Sequence, residues 1–329
     1  MVVWDDPEDK ATEAQGVRIV RMCSLDDGLP VLRFFHPRWT SLNAALDAAD
    51  ADLYYYNCGD LGLGQIVAWA RRRNKAVVFS VPSDPDCDPT FPALSSARER
   101  TLYRYGLSRC EHIIVQSEKQ RAMLDAGFGK ASTPLRMPCV GFRDSVRGDD
   151  QDNDGRMNVL WVGRISKEKR PDWVQELAKR LPDVDFTIVG GPNRDSGYSQ
   201  GVLSNEAVLP NVSFVGRIAH EDMGPYYARA DVLICTSVYE GFPNVFLEAW
   251  STGTPVVTTC DPDGLIQGEG LGYSAVDLGG LESAISRLVG DAELHRQMSA
   301  AARDYFDHNH RLDPAMQAFE AFFGDALVQ

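Results

Sequence analysis

The 329-residue sequence lacks long apolar runs and paired cysteine motifs. No apolar stretch approaches the roughly 18 residues that a membrane span needs, and no signal-peptide pattern opens the chain. The seven cysteines are scattered without a C-x-x-C pair, which argues against a disulfide framework or a zinc site. These absences predict a cytoplasmic protein with reduced thiols. No internal repeat stands out in the sequence.

Basic residues are also scarce, with 33 Lys and Arg against 47 Asp and Glu and a net charge of −14. Such a surface repels nucleic acid, so we expect no nucleic-acid partner. A polyphosphate ligand would need cations supplied locally. The basic cluster at residues 71–75 has two interpretations: peripheral contact with an acidic membrane on its cytoplasmic face, or the charge complement of a helix end, which we favour.

Short apolar runs alternate with helical stretches of about 10–15 residues, which predicts parallel α/β units. The acidic, Gly-punctuated residues 144–154 are the best linker candidate. We therefore predict an N-terminal domain at 1–150 and a C-terminal domain at 156–311. An amphipathic helix at about 312–329 is expected to pack back on the first domain.

The most informative stretch, residues 237–256, follows a short apolar strand. Glu240 lies in the loop, Pro243 begins a helix that contains Glu248, and Gly253 ends it. Free N–H groups at a helix start bind phosphate, whereas carboxylates there accept hydrogen bonds from hydroxyls. The pattern suits a ligand with phosphate and sugar. The alternative is that both carboxylates merely complement the helix dipole.

Three other loops follow strands in the C-terminal half. Arg164 and Lys169 come after Gly163 and are suited to a diphosphate, although they would also fit a solvated face. The pair Gly190-Gly191 allows close approach to the backbone or marks a tight turn. Residues 214–218 form a strand end whose main chain could pair with a nucleobase.

In the N-terminal half, the loop after the strand 76–81 carries Asp84, Asp86 and Asp88. Loops at this edge of a parallel sheet line ligand crevices, so these carboxylates could contact an acceptor. They could equally be turn residues. A metal would need more oxygen ligands than the sequence offers, so we expect no metal site.

Four motifs in order match one family. They are Gly163-Arg164 with Lys169; Val189-Gly190-Gly191; residues 211–216; and the E-x7-E motif from Glu240 to Glu248. On these motifs the chain resembles the retaining glycosyltransferases of family 4, most closely over residues 158–259 and more loosely over 52–117. The resemblance implies an α/β protein of the GT-B fold, with two Rossmann-like domains facing across a cleft.

The resemblance also implies roles for the motif residues. Arg164 and Lys169 would hold the diphosphate and stabilise the leaving group, and Glu240 would contact the donor sugar. Glu248 would accept from the ribose, and Ile218 would meet the base. Other donor-binding positions would be Gly163, Gly190, Gly191, Gly241, Phe242 and the N–H groups of Asn244 and Val245. The donor would be a UDP- or GDP-linked sugar, with neither metal nor cofactor, and the acceptor a glycan, lipid-linked glycan or small molecule.

Two departures from the family pattern shape the expectations. Residues 1–4 resemble the end of the second strand of the N-terminal domain and 16–23 the third, so we expect this domain to lack its first strand and helix. Asp84 stands near the place of a common histidine, and we assign Asp84 and Asp86 to the acceptor or sugar side. The alternatives are a non-catalytic nucleotide-sugar-binding protein or a truncated inactive transferase. A GT-B epimerase or phosphorylase fits the E-x7-E motif less well.

Overall fold

The computed structural model describes residues 1–6, 11–143, 145, 155–192, 196–204 and 209–328. The predicted linker, residues 144–154, lies outside the described residues except for Ser145. Strands and helices alternate on either side of it, in two α/β domains with parallel sheets.

The N-terminal domain is built on a parallel sheet in the order β5-β6-β7-β8. Its strands are β1 (Val2–Val3), β2 (Glu13–Ala14), β3 (Val17–Arg18), β4 (Val20–Arg21), β5 (Leu53–Tyr56), β6 (Ala76–Ser80), β7 (His112–Val115) and β8 (Thr133–Pro134). Its helices are α1 (Thr40–Ala49), α2 (Gly62–Arg73), α3 (Ala97–Arg109) and α4 (Glu118–Phe128).

The first 23 residues differ from the single strand predicted at 16–23. Gln15 and Gly16 have φ values of 49° and 80°, and this left-handed turn folds β2 and β3 into an antiparallel hairpin. Only the following β4 pairs in parallel with β1. Among the described residues, no strand joins this pair to β5.

The C-terminal domain has a parallel sheet in the order β11-β10-β9-β12-β13-β14. Its strands are β9 (Asn158–Val162), β10 (Asp185–Val189), β11 (Val212–Gly216), β12 (Val232–Cys235), β13 (Val256–Thr258) and β14 (Gly272–Ser274). Its helices are α5 (Pro171–Arg180), α6 (Ser196–Leu203), α7 (Gly224–Arg229), α8 (Asn244–Thr252), α9 (Leu265–Gly268), α10 (Leu278–Gly290) and α11 (Ala292–Asn309); α12 (Leu312–Val328) follows.

The order of this sheet reverses between β9 and β12. The chain runs outward from β9 through β10 and β11, and then outward on the other side from β12 through β13 and β14. Ligands of open α/β sheets bind at such a switch point, beyond the carboxyl ends of the strands. The loops at 163–170 and 236–243 therefore mark the expected ligand crevice.

The chain crosses between the domains twice, at neighbouring places. The N–H of Cys139 donates to the carbonyl of His310 at 2.9 Å, which ties the two crossings together. After the second crossing, Phe319 of α12 packs against Val78 and Ile114 of the N-terminal sheet. The last helix therefore covers the first domain and holds the two domains together.

Candidate functional site

Thr236 fastens the two loops of the switch point to each other. Its hydroxyl donates to the carbonyl of Lys169 at 2.6 Å and accepts from the indole N–H of Trp161 at 3.1 Å. Arg170 donates back to the Thr236 carbonyl at 2.6 Å and lies 3.8 Å over the ring of Trp173. Burial lowers the pKa of Arg170 from its ordinary value. These contacts fix the position from which the Lys169 side chain extends.

Lys169 and Glu240 meet across these loops. Lys169 Nζ lies 2.5 Å from Glu240 Oε1, and the two side chains are 26% and 15% exposed. An ion pair in a half-buried setting is screened less by water than one on the surface. The sequence placed both residues at the same edge of the sheet, and the structure brings them into contact.

The start of α8 lies beside this pair and is left open. Pro243 precedes the helix with no side-chain cap, and Pro243 itself has no N–H. The N–H groups of Asn244 and Val245 have no hydrogen-bond partner among the described residues. Free first-turn N–H groups attract anions.

A cavity of about 420 Å³, the donor-side cavity, joins these features. From the C-terminal domain it is lined by Gly163, Lys169, Cys235, Ser237 and residues 240–245; from the N-terminal domain by Asn57, Pro82 and Gln116. It therefore combines an ammonium group, an open helix start and a carboxylate. In its wall, the neighbouring Cys260 thiol lowers the pKa of Cys235 from its ordinary value.

A second cavity of about 410 Å³, the acceptor-side cavity, adjoins the first. Glu240 and Gly241 line both cavities. Asp84 lines the second one and accepts from Lys119 Nζ at 2.6 Å. Glu240 therefore lies at the boundary between the donor-side cavity, which contains the Lys169 ammonium group, and the acceptor-side cavity, which contains Asp84.

Asp86 has a different environment from Asp84. Its side chain is buried, and Ser83 Oγ donates to Asp86 Oδ2 at 2.6 Å. Burial raises the pKa of Asp86 above its usual value. Asp86 is not among the residues that line the acceptor-side cavity, so Asp84 is the better placed of the two predicted carboxylates.

Gln116 was not singled out from the sequence, yet it connects the domains at the site. Its side-chain oxygen accepts from the N–H of Phe242 at 2.7 Å. Gln120 accepts from the Gln116 N–H at 2.9 Å and donates to Asp84 Oδ1 at 3.3 Å. A Cβ at Gly241 would lie 2.6 Å from the Gln116 side chain, so glycine permits this close approach.

Glu248 lies outside the lining of both cavities and has partners of its own. Tyr227 donates to Glu248 Oε2, and His220 Nε2 lies 3.1 Å from Glu248 Oε1. Burial, followed by the Glu248 charge, raises the pKa of Tyr227 well above its usual value. Glu240, in the loop before α8, and Glu248, within the helix, therefore lie in separate surroundings.

The other predicted donor residues are less closely grouped. Arg164 follows Gly163 directly, is exposed, and has no hydrogen-bond or ion-pair partner among the described residues. Ile218 is half-buried, and its backbone N–H and carbonyl have no hydrogen-bond partner among the residues that the structure describes.

Gly190 has a structural explanation. A Cβ at this residue would lie 1.7 Å from the carbonyl oxygen of Gly163, so only glycine lets the ends of β10 and β9 pack. Gly191 would tolerate a Cβ at an ordinary 3.4 Å from Arg217. The glycine pair is therefore explained in part by backbone packing, independently of any ligand.

Two negative findings concern the described residues. They contain no cluster of three or more His, Cys, Asp or Glu side chains that could hold a metal ion. No helix among them combines the length and apolar character that crossing a bilayer requires.

The sequence comparisons converge on the C-terminal domain. Residues 156–291, less than half of the chain, match the model of the family Glycosyl transferases group 1. The chain is 37% identical over 103 residues to a D-inositol 3-phosphate glycosyltransferase of Mycobacteroides abscessus, covering 30% of this chain and 23% of that protein. It is 31% identical over 147 residues to the lipopolysaccharide core biosynthesis glycosyltransferase LpsE of Rhizobium meliloti, covering 43% and 42%. The matches therefore span less than half of the length of these relatives.

Solved structures resemble the whole chain. Anabaena HepE, in complex with UDP and glucose, superposes with a TM-score of 0.77 at 16% identity, over 94% of this chain and 86% of that one. Sucrose-phosphate synthase from Thermosynechococcus elongatus gives a TM-score of 0.78 at 19% identity, over 100% and 89%. The chain has the GT-B fold, as the sequence predicted.

Proposed function

We propose that the protein is a retaining glycosyltransferase of the family-4 type, which moves a sugar from a UDP- or GDP-linked donor to an acceptor. The observation that carries the proposal is the donor-side cavity, where the Lys169–Glu240 pair faces the open start of α8. The match of residues 156–291 to group 1 glycosyl transferases supports it. So does the fold shared with HepE, whose structure contains UDP and glucose.

In this proposal the diphosphate binds at the start of α8. The N–H groups of Asn244 and Val245 and the ammonium group of Lys169 compensate its charge, and Arg164 swings in from the neighbouring loop. As the sugar–phosphate bond breaks, negative charge grows on the leaving phosphate. Donors fixed at that point stabilise the transition state more than the ground state. No metal ion is needed for this step.

Glu240 accepts a hydrogen bond from the donor sugar, which brings the anomeric carbon to the boundary of the two cavities. The acceptor hydroxyl enters from the acceptor-side cavity, where Asp84 orients it. The leaving phosphate takes the acceptor proton on the same face of the sugar, so the anomeric configuration is retained. The acceptor is a glycan, a lipid-linked glycan or a small molecule.

A donor panel tests the proposal. The purified chain is titrated calorimetrically with UDP, GDP and their common sugar conjugates, with and without EDTA. We expect binding of one nucleotide series that EDTA does not weaken. Binding of none of them by a folded chain contradicts the proposal. Binding without transfer or donor hydrolysis would instead identify a nucleotide-sugar-binding protein.

Glu240→Ala tests the chemistry separately. Because Glu240 would contact the donor sugar, we expect transfer to fall roughly 10²-fold or more. Nucleoside diphosphate binding should be kept or strengthened, because the variant releases Lys169 from its ion pair. Glu176→Ala on the surface of α5 is the matched control. An unchanged transfer rate in Glu240→Ala removes Glu240 from the site.

A further inference from the structure

The side-chain amide of Gln116 has a fixed orientation at the boundary between the domains. In an amide only the oxygen accepts hydrogen bonds, and the Gln116 oxygen accepts from the N–H of Phe242 at 2.7 Å. The backbone of Gln116 is held as well, because its N–H donates at 2.9 Å to the side-chain oxygen of Gln120, a fully buried residue. These two contacts fix both ends of the residue, so the side-chain nitrogen points away from Phe242.

The amide nitrogen of Gln116 keeps two unused N–H groups. It has no hydrogen-bond partner among the described residues, and it does not belong to the polar atoms that are sealed from solvent without a partner. Gln116 lines the donor-side cavity. The N-terminal domain therefore offers an oriented hydrogen-bond donor to the ligand that occupies this cavity.

A hydrogen-bond acceptor lies beside this donor. Glu240 lines the same cavity, and the next residue, Gly241, packs directly on the Gln116 amide, where a Cβ would lie 2.6 Å from the amide oxygen. A hydroxyl both donates and accepts, so the hydroxyls of a sugar can donate to a carboxylate and accept from an amide nitrogen. An ionised phosphate only accepts, and the Glu240 carboxylate would repel it. The combination of Gln116 and Glu240 therefore suits a sugar better than a phosphate.

We propose that Gln116 binds the transferred sugar from the N-terminal domain, its amide nitrogen donating to a sugar hydroxyl beside Glu240. This inference rests on the proposed function. The diphosphate is held by the C-terminal domain alone, at Lys169 and the start of α8, whereas the sugar is held from both domains. Because Phe242 of the C-terminal domain orients the amide, this donor is in place only when the cleft is closed. Gln116 thus makes recognition of the sugar depend on closure.

A comparison of ligands with and without the sugar tests this role. Calorimetric titration measures the Kd of the nucleoside diphosphate and of the nucleotide sugar that the wild type binds, in the wild type and in Gln116→Met. Methionine has a similar length and no N–H group in its side chain. We expect Gln116→Met to weaken binding of the nucleotide sugar about tenfold, the loss of one hydrogen bond, and to leave the nucleoside diphosphate within twofold. Retained diphosphate binding also shows that the variant is folded.

The loss of the contact with Phe242 has to be separated from the loss of the contact with the sugar. Asp263→Ala removes a different contact between the domains, in which Asp263 accepts from the N–H groups of Glu118 and Lys119, and Asp263 lines neither cavity. We expect Asp263→Ala to weaken both ligands alike. The inference is wrong if the selective loss of the nucleotide sugar is absent in Gln116→Met, or is no larger there than in Asp263→Ala. A wild type that binds no nucleotide sugar contradicts the proposed function itself, whereas an unchanged ratio of the two affinities in Gln116→Met contradicts only this inference.

Discussion

At the residue scale, the two members of the Lys169–Glu240 ion pair have different roles. Lys169 lines the donor-side cavity together with the open start of α8, and Glu240 neutralises its charge. Under the proposed function a diphosphate would take the place of Glu240. A ligand phosphate must therefore compete with Glu240 for the ammonium group. Under the proposed function, this acidic chain would supply a local cation whose charge becomes available when the diphosphate binds.

Lys169→Gln tests this assignment. The amide keeps a donor but removes the charge that would stabilise the leaving group, so we expect kcat to fall roughly 10²-fold. Steady-state kinetics with the donor identified by the panel provide the measurement. Lys179→Gln on the exposed surface of α5 controls for the general loss of one positive charge. Equal kinetics in the two variants would contradict a role for Lys169 in the reaction.

His310 is a buried base at the second domain crossing. Its Nδ1 donates to the Met137 carbonyl at 2.9 Å, and the ring contacts Phe242, Trp250 and Tyr305. Burial lowers the pKa of His310 to about 4. The imidazole of His310 takes up a proton near pH 6.5 in the unfolded chain and only near pH 4 in the folded chain. The stability that the neutral, buried imidazole contributes is therefore lost as the pH falls from 6.5 to 4.

From pH 7 to pH 5 this linkage should remove about 2 kcal/mol from the free energy of unfolding. Urea unfolding of the wild type and of His310→Gln at the two pH values measures it. The variant should lose less stability on acidification, by about that difference. His308→Gln, an exposed neighbour on α11, should behave as the wild type, and identical pH dependence in all three chains would exclude His310 as the source.

The sequence predicted some of these residues and not others, for a physical reason. Lys169 and Glu240 each follow a strand, and parallel strands bring the loops at their carboxyl ends together. Gln116 follows a strand too, but its partner Phe242 is 126 residues away in the other domain. Such a contact depends on how the domains close, which no local pattern encodes. The partners of Glu248 and the burial of Asp86 were missed because they, too, depend on tertiary packing.

At the element scale, α8 and α4 show where proline and glycine signals predict the ends of a helix correctly and where they do not. Pro243 and Gly253 mark the helix in the sequence, and the structure places the helix between them, with Gly253 in the left-handed conformation at φ 78°. The same rules fail at α4, because they end this helix at Gly127, the first glycine after its start. That helix continues to Phe128 and is capped by Gly129 at φ 59°, while Gly127 lies within it against Pro89.

The open start of α8 can be tested without changing a charged residue. Asn244 is the first helical residue, where proline is tolerated, and Pro243 before it has the extended conformation (φ −65°, ψ 122°) that a following proline requires. Asn244→Pro therefore removes one N–H from the anion site with little cost to the helix. We expect diphosphate affinity to fall about tenfold, the loss of one charge-assisted hydrogen bond.

Asn244→Ala is the matched control for that experiment, because it removes the side chain and keeps the N–H. Calorimetric titration with the nucleoside diphosphate, alongside thermal unfolding, gives both readouts. The alanine variant should bind as the wild type does. If the proline variant also binds normally while keeping its thermal stability, the diphosphate does not use this N–H.

At the scale of the whole molecule, the two cavities exist because the domains are closed. Each cavity takes residues from both domains, so opening the cleft would remove one wall from each. The sequence predicted two α/β domains and the GT-B fold, because the order of strands and helices and the E-x7-E motif are local features. Apart from the packing of the last helix on the first domain, it did not predict which residues hold the domains together.

Asp263 is one of those residues, and its removal is the sharpest test of closure. Its carboxylate, from the C-terminal domain, accepts from the N–H groups of Glu118 at 2.8 Å and Lys119 at 3.0 Å, and so caps α4 of the other domain. We expect Asp263→Ala to increase the radius of gyration in small-angle scattering and to weaken donor binding several-fold.

Asp277→Ala is the matched control, because Asp277 caps α10 within its own domain at Gly280. Both variants should lose about 1 kcal/mol of stability as capping mutants do, and Asp263→Ala somewhat more, because Asp263 has a left-handed backbone with φ 55°. Only Asp263→Ala should open the cleft. If the two variants share the same radius of gyration and donor affinity, the cap on α4 contributes to stability alone and closure depends on other contacts.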